Sequence, residues 1–222
     1  MHVASTQAAD SPDSGPGLRD FRHFVYAVNM ARPDTATRIL NAARALFERE
    51  GAESVRMRRV ADAVGITPTA IYRHFPSREA LLERISDDSF DEIARHWDAH
   101  RQARDPVARL LATQQIYLDY ALAYPHLFDH AFLARRRNAR RFPADFITGQ
   151  SPTANVMYEA VVEAQARGQL RTGDAWALTM TVWAHAHGLI ALQRAGRFSF
   201  DEAGFRAFFT TSLHHLMDGL RP

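Results

Sequence analysis

The chain has no cysteine, so it holds no disulfide and performs no thiolate chemistry, which suits a reducing cytoplasm. It has no lysine either: all 27 basic side chains are arginine. Arginine favours bidentate phosphate contacts, but codon usage in a GC-rich genome explains the missing lysine better than any function does. No stretch approaches the roughly 20 consecutive apolar residues of a membrane span, and no basic flank precedes an apolar run at the N-terminus, so neither insertion nor secretion is indicated. No segment alternates apolar and polar residues with period two, which leaves no candidate strand, and there is no internal repeat. Paired nucleophile and base, paired carboxylates and glycine-rich phosphate loops are also missing, so neither an enzyme nor a cofactor is expected.

What is present is a chain of 222 residues, 46% hydrophobic, long enough for one large domain or for a small module joined to a larger one. Positive charge gathers in one place. Between positions 34 and 78 lie eight arginines (38, 44, 49, 56, 58, 59, 73 and 78) against five acids (34, 48, 50, 53 and 62). Residues 1–33 divide into a tract rich in Ser, Pro, Gly, Asp and Ala, expected to be disordered, and an aromatic run, "FRHFVYAVN", that reads as a short arm or an untranslated leader, with Met30 a natural start.

Helical periodicity begins at Asp34. Ile39, Ala42, Ala43, Leu46 and Phe47 form one apolar stripe ended by Gly51. A second helix over 57–64 buries Val60, Ala61 and Val64 and stops at Gly65. Thr67 caps a third helix with Pro68 in its first position; Phe75-Pro76 breaks it and Ser77 starts a fourth. Pairs of a cap or turn residue with proline then open helices at Asp105-Pro106, Tyr124-Pro125 and Ser151-Pro152. "RRRNARRFPADFITGQ" reads as a basic loop, a long helix spans 174–194, and Ser199 with Glu202 forms a capping box for the last helix. The expectation is an all-α fold of nine helices in two parts: a helix-turn-helix head over 34–80 and a helical-bundle body over 81–222.

A helix, a glycine turn and a second short helix form the pattern whose second helix enters the DNA major groove. Ile71 and Phe75 face inward, whereas Thr69, Tyr72 and Arg73 point away. Arg78, at the positive end of the fourth helix, costs about a few tenths of a kcal/mol unless an anion lies nearby, and a DNA phosphate could be that anion. "RILNAARALFEREGAESVRMRRVADAVGITPTAIYRHFPSREALL" resembles the DNA-binding domain of TetR-type transcriptional regulators. The resemblance implies a three-helix head, a body that binds a small molecule, and a homodimer on a palindromic double-stranded operator. It places residues 67–74, Pro68 among them, in the groove: Thr67, Thr69 and Ala70 near bases, Tyr72, His74 and Arg78 on phosphate, and Arg73 on either. The position that caps the second helix is often Thr or Ser in this family and is Arg56 here, so its phosphate contact becomes ionic.

The helix over 174–194 is apolar on two sides, with Trp176, Met180, Trp183, His187 and Ile190 on one and Leu178, Val182, His185, Leu189 and Leu192 on the other. The last helix carries Phe205, Phe208, Phe209, Leu213, Leu216 and Leu220. Two apolar faces require two coverings. The second side of the long helix, with Phe205, Phe209, Leu213 and Leu216, is therefore expected at an isologous dimer interface. "TVWAHAHGLIAL" and "AYPHLFDHAF" also resemble the WHG C-terminal domain of one branch of these regulators, which implies a cavity among the middle helices. Candidates for its wall are Tyr117, Tyr120, Phe128, Phe132, Tyr158, Trp176, Trp183 and His187, although plain core packing explains any single aromatic better. As a set they favour a hydrophobic or aromatic effector over a sugar or nucleotide.

The combined reading is a cytoplasmic, homodimeric repressor released from its operator by such an effector. A constitutive regulator with no ligand is one alternative. A helical metal enzyme using His126, Asp129 and His130 is another, weakened because Leu127 stands where a zinc-hydrolase helix carries glutamate and no third ligand is evident.

Overall fold

Seven helices begin at a side-chain oxygen that accepts a first-turn N–H: Asp34, Thr67, Ser77, Asp105, Ser151, Asp174 and Asp201. Such caps satisfy donors that the first turn leaves unpaired. The computed structural model describes residues 33–99, 105–136 and 138–222. The expectations for the N-terminal extension and for Met30 lie outside them.

The helices are α1 (Thr35–Glu50), α2 (Met57–Val64), α3 (Pro68–Ile71), α4 (Arg78–Ala99), α5 (Pro106–Ala123), α6 (Pro125–Phe128), α7 (Ala144–Ile147), α8 (Pro152–Ala166), α9 (Ala175–Arg194) and α10 (Glu202–Gly219). A 3-10 turn, Ala52–Ser54, follows α1, and a π turn, Asp129–Leu133, extends α6. The described residues contain no strand. Two elements differ from the nine expected helices. The stretch read as a basic loop contains α7, set by the Asp145 carboxylate accepting from the Arg141 N–H at 2.6 Å and by Phe146 going inward. The last helix starts at Asp201, whose carboxylate accepts from the Gly204 N–H at 2.7 Å, so the capping box at Ser199 does not form.

In the N-terminal part, α1 buries Ile39, Ala43, Leu46 and Phe47, and α2 buries Val60, Ala61 and Val64. Gly65 turns the chain between α2 and α3 with φ 74° and ψ 39°, a left-handed conformation that favours glycine. Beyond it, α4 runs on to pack against α5 and α8, and α8 is flanked by α4, α5 and α9. Both α4 and α6 also touch α1, so the N-terminal helices rest on the body. Among the described residues, no helix is long and apolar enough to cross a membrane.

Candidate nucleic-acid interface and ligand cavity

The short helix α3 is held from behind. Ile71 is fully buried and Phe75 half-buried, and Thr67 caps the helix by accepting from the Ala70 N–H at 3.2 Å. The last turn tightens, with the His74 and Phe75 N–H groups both donating to the Ile71 carbonyl. What remains outward is Thr67, Pro68, Thr69, Tyr72, Arg73 and His74, all exposed, with Ala70 half-buried. An exposed Tyr72 on a helix this short is large apolar surface left in water. Arg56 and Arg58 are also exposed, Arg56 as the residue before α2 with no side-chain cap bond. Exposed hydroxyls, a phenol and cations are the groups that meet phosphates and base edges.

Arg78 departs from this arrangement. Its Nε donates to the Val55 carbonyl at 2.8 Å and its Nη2 to the Ala52 carbonyl at 2.7 Å, with Glu53 at 3.3 Å. Acceptors near the α4 N-terminus are thus supplied by the chain itself, and Arg78 clamps the 3-10 turn to α4. Arg78→Ala is expected to lower stability by about 1–3 kcal/mol and to leave the salt dependence of DNA binding unchanged. Thermal denaturation, with operator titrations at several salt concentrations, checks both. A slope that falls by about one would restore the phosphate role.

In the body, five predicted wall residues do converge. The ring of Tyr117 lies 5.2 Å from Phe128 and 5.1 Å from Phe132, its hydroxyl is 2.9 Å from His187 Nδ1, and the Trp183 ring is 5.5 Å from His187. Tyr158 stacks on Trp176 at 4.3 Å, and Phe146 lies 6.4 Å from both Trp176 and Trp183. Tyr120 does not join them. It sits against Tyr124 at 5.2 Å, near Ser89 and Arg44, on the side of the body that faces α1.

Beside this cluster is a cavity of about 140 Å³. Phe90, Phe132, Phe146, Met157 and Trp183 form apolar walls; Arg136, Arg140, Ser151 and Thr153 supply polar groups. Of the eight expected wall residues only Phe132 and Trp183 reach it, while Tyr117 and Phe128 are buried behind. Sequence reading missed the two arginines and Phe90. The available signal was the run of arginines directly before an apolar "FPADFI".

Burial holds the His187 imidazole below its ordinary pKa of 6.5, and burial, with Arg136 and Arg78 nearby, does the same for His130. A depressed folded pKa means that the unfolded chain binds more protons below 6.5, so this stability is present above that pH and is lost on acidification. The urea midpoint is expected to fall between about pH 7.5 and about pH 5.5, and His187→Gln to fall less over the same interval. Equal slopes for the two proteins would remove His187 from the account.

The expected dimer residues need correction. Leu178, Val182, Phe205, Phe209 and Leu213 are buried within the chain's own core, because α9 and α10 cover one another and the body with those faces. His185 bonds Ser212 at 2.9 Å, tying the two helices. Leu189 and Leu216 are half-buried and Leu192 is exposed. The outward stripe is instead Ala177, Thr181, Ala184 and Leu192 on α9, with Ala203, Ala207 and Thr211 on α10.

The three residues of the metal alternative have separate engagements. His126 lies against Gly51, Asp129 accepts from Arg194 Nε and Nη2 at 2.9 and 2.7 Å, and His130 meets the Phe47 ring edge-on at 5.2 Å. Among the described residues no three potential metal ligands gather.

Residues 39–85 match the family described as bacterial regulatory proteins, tetR family, and residues 110–216 match the tetracyclin repressor-like C-terminal domain. The HTH-type transcriptional regulator UidR of Escherichia coli (strain K12) is 45% identical over 51 residues, which are 23% of this chain and 26% of UidR. The chain therefore spans about a quarter of the length of that relative. A protein of unknown function from Rhodococcus sp. RHA1 has the same fold, with a TM-score of 0.73 at 22% identity over 87% of this chain and 98% of that one. So does FadR of Bacillus subtilis, solved in complex with stearoyl-CoA, with a TM-score of 0.66 at 13% identity over 83% and 99%.

Proposed function

Because the chain belongs to the TetR family of bacterial regulatory proteins, we propose that it is a cytoplasmic, DNA-binding transcriptional regulator, a homodimeric repressor released from a palindromic operator by a small, largely apolar effector. The observation that carries this reading is the outward face of α3, where Thr67, Thr69, Tyr72, Arg73 and His74 stand exposed on a helix anchored by Ile71.

In this reading residues 34–80 are the DNA-binding head and 81–222 the effector and dimer body. Thr67, Thr69 and Ala70 approach base edges, and Arg56, Tyr72 and His74 hold phosphate. Two heads sit about 34–36 Å apart, or a multiple of that, to meet successive major grooves. The exposed small-residue face shared by α9 and α10 is where a second copy packs, since closely approaching helices need small side chains between them. The effector acts only as far as it binds one body conformation more tightly than the other.

Selection of bound DNA from a random pool, at stated salt, tests the central claim: a palindrome is expected, and no enrichment of any palindrome would count against it. On the selected operator, Tyr72→Phe is expected to weaken all sequences alike, because a phosphate contact carries no sequence information. Arg73→Ala or Thr69→Ala should change the preference between operator variants, by about 1–3 kcal/mol for each base edge no longer read. If both classes lowered affinity with preference unchanged, the roles given to Thr69 and Arg73 would be wrong.

A further inference from the structure

The cavity beside α8 combines apolar walls with cations and, among the described residues, no lining carboxylate. The guanidinium carbons of Arg136 and Arg140 lie 5.4 and 5.2 Å from the centroid of one ring, that of Phe90. Two cations drawn to one ring repel each other in a setting where screening is reduced. Burial, with Arg140 adding to it, holds Arg136 below the ordinary arginine pKa, although Asp87 and Glu83 oppose that shift. Arg136 Nε is moreover buried without a hydrogen-bond partner among the described residues, and such a donor is costly until something accepts from it. The other polar groups at the wall, the Ser151 and Thr153 hydroxyls, belong to the cap and first turn of α8, the positive end of a 15-residue helix. Among the described residues every charged group lining the space is a cation, and the partner that matches them is an anion with hydrogen-bond acceptors.

Size and walls narrow the choice. A cavity of about 140 Å³ is comparable to the dry engineered cavity that admits benzene, so the enclosed part holds about one ring or a short chain. Phe132, Trp183 and Met157 ask for hydrocarbon there. A carboxylate matches the flat donor fork of a guanidinium in bidentate fashion, and as a monoanion it loses less hydration on entry than a phosphate dianion.

We propose that this cavity takes a small apolar monocarboxylate, a one-ring aryl acid or a short alkanoate, with the carboxylate on Arg136 and Arg140 and the hydrocarbon against Phe132, Trp183 and Met157. The inference rests on the reading of the body as an effector domain and adds the ligand's charge and size to it. Arg136 also borders a second groove, with Ser77, Glu79 and His130, under the head. A carboxylate that draws Arg136 toward the cavity removes a cation from that groove, which gives the ligand a route to the head.

The test is calorimetry on the full chain with benzoate, phenylacetate and hexanoate, each paired with its neutral amide, followed by operator release measured by fluorescence anisotropy. Each acid is expected to bind at least about tenfold tighter than its amide, the worth of a charge-assisted hydrogen bond. Arg136→Gln and Arg140→Gln should each remove that preference and leave amide affinity within about threefold of the wild type. The wild-type comparison of acid with amide decides the matter by itself should a variant fail to fold. Acids bound no better than amides overturn the carboxylate and leave the effector domain standing, as does no binding of either when a panel of neutral apolar compounds still releases the operator. Acids that bind tightly without releasing the operator support the site and overturn the effector reading.

Discussion

Replacing Glu92 by alanine is expected to cost about 3–5 kcal/mol of folding free energy, the range seen when one member of a buried ion pair is removed. Glu92 is 2% exposed, and its Oε2 lies 2.5 Å from Arg44 Nη2. Arg44 comes from α1 and Glu92 from α4, so the pair crosses from the N-terminal helices to the body. Burial alone would lower the Arg44 pKa, but Glu92, Tyr120 and Glu48 outweigh it and raise the pKa above the ordinary arginine range. Without Glu92 the guanidinium keeps the Glu48 carboxylate at 2.8 Å and the face of Tyr124, 5.6 Å away. Those partners do not repay the desolvation that Glu92 now offsets. The double variant Arg44→Met/Glu92→Leu should recover most of the loss, because an apolar pair of similar volume has no charge to desolvate. Urea denaturation of the two single variants and the double variant measures the coupling. A cost under about 1 kcal/mol for Glu92→Ala would mean that water reaches the pair.

Phe128→Ala is expected to cost a similar amount, about 3–5 kcal/mol, for the different reason that it opens a void. The Phe128 ring is fully buried, stacked on Phe132 at 5.0 Å and packed on Tyr117 at 5.2 Å and His187 at 6.2 Å. None of these neighbours can collapse into the space without leaving a partner, so the cavity should persist. Added benzene should then raise the melting temperature of the variant by more than that of the wild type, since apolar voids of this kind stay dry and take apolar guests. Phe132→Ala separates packing from binding. Phe132 is only half-buried but lines the existing cavity, so its removal should cost less stability and more ligand affinity. The reverse order in calorimetry and denaturation would exchange the roles of the two rings.

Local features of the fold were legible in the sequence. Thr67, Ser77, Asp105 and Ser151 cap helices where expected, and Asp34 and Asp174 cap helices expected to begin there, because a cap depends on a residue and its next three neighbours. The outward set on α3 was legible for the same reason: four residues of helix after a glycine turn leave few ways to arrange Ile71 inside. Periodicity also found two apolar faces on α9, but period alone does not say which neighbour covers a face, and α10 together with the body claimed Leu178 and Val182. Arg78 was assigned to phosphate because its acceptors, the carbonyls of Ala52 and Val55, are backbone atoms that no pattern of side chains announces. Arg136 and Arg140 were passed over because a run of arginines reads as solvated, and only the tertiary fold turns Phe90 toward them. The Arg44–Glu92 pair, 48 positions apart, left no local trace.

The π turn after α6 has a consequence for chain length. Its closing bond runs from the Ala134 N–H to the Asp129 carbonyl at 2.7 Å, five residues back, so one residue is in excess of an ordinary α-helical turn. That excess lets Phe132 face the cavity while His130 meets Phe47 and Asp129 meets Arg194. Deleting a single residue here, with every named side chain kept, would turn the two sides of the segment about 100° relative to one another and break at least one of those three engagements. The spacing from Pro125 to Ala134 therefore acts as a setting of the molecule in its own right, so that a one-residue gap in an aligned sequence would report a differently wired body even where every side chain around it is identical.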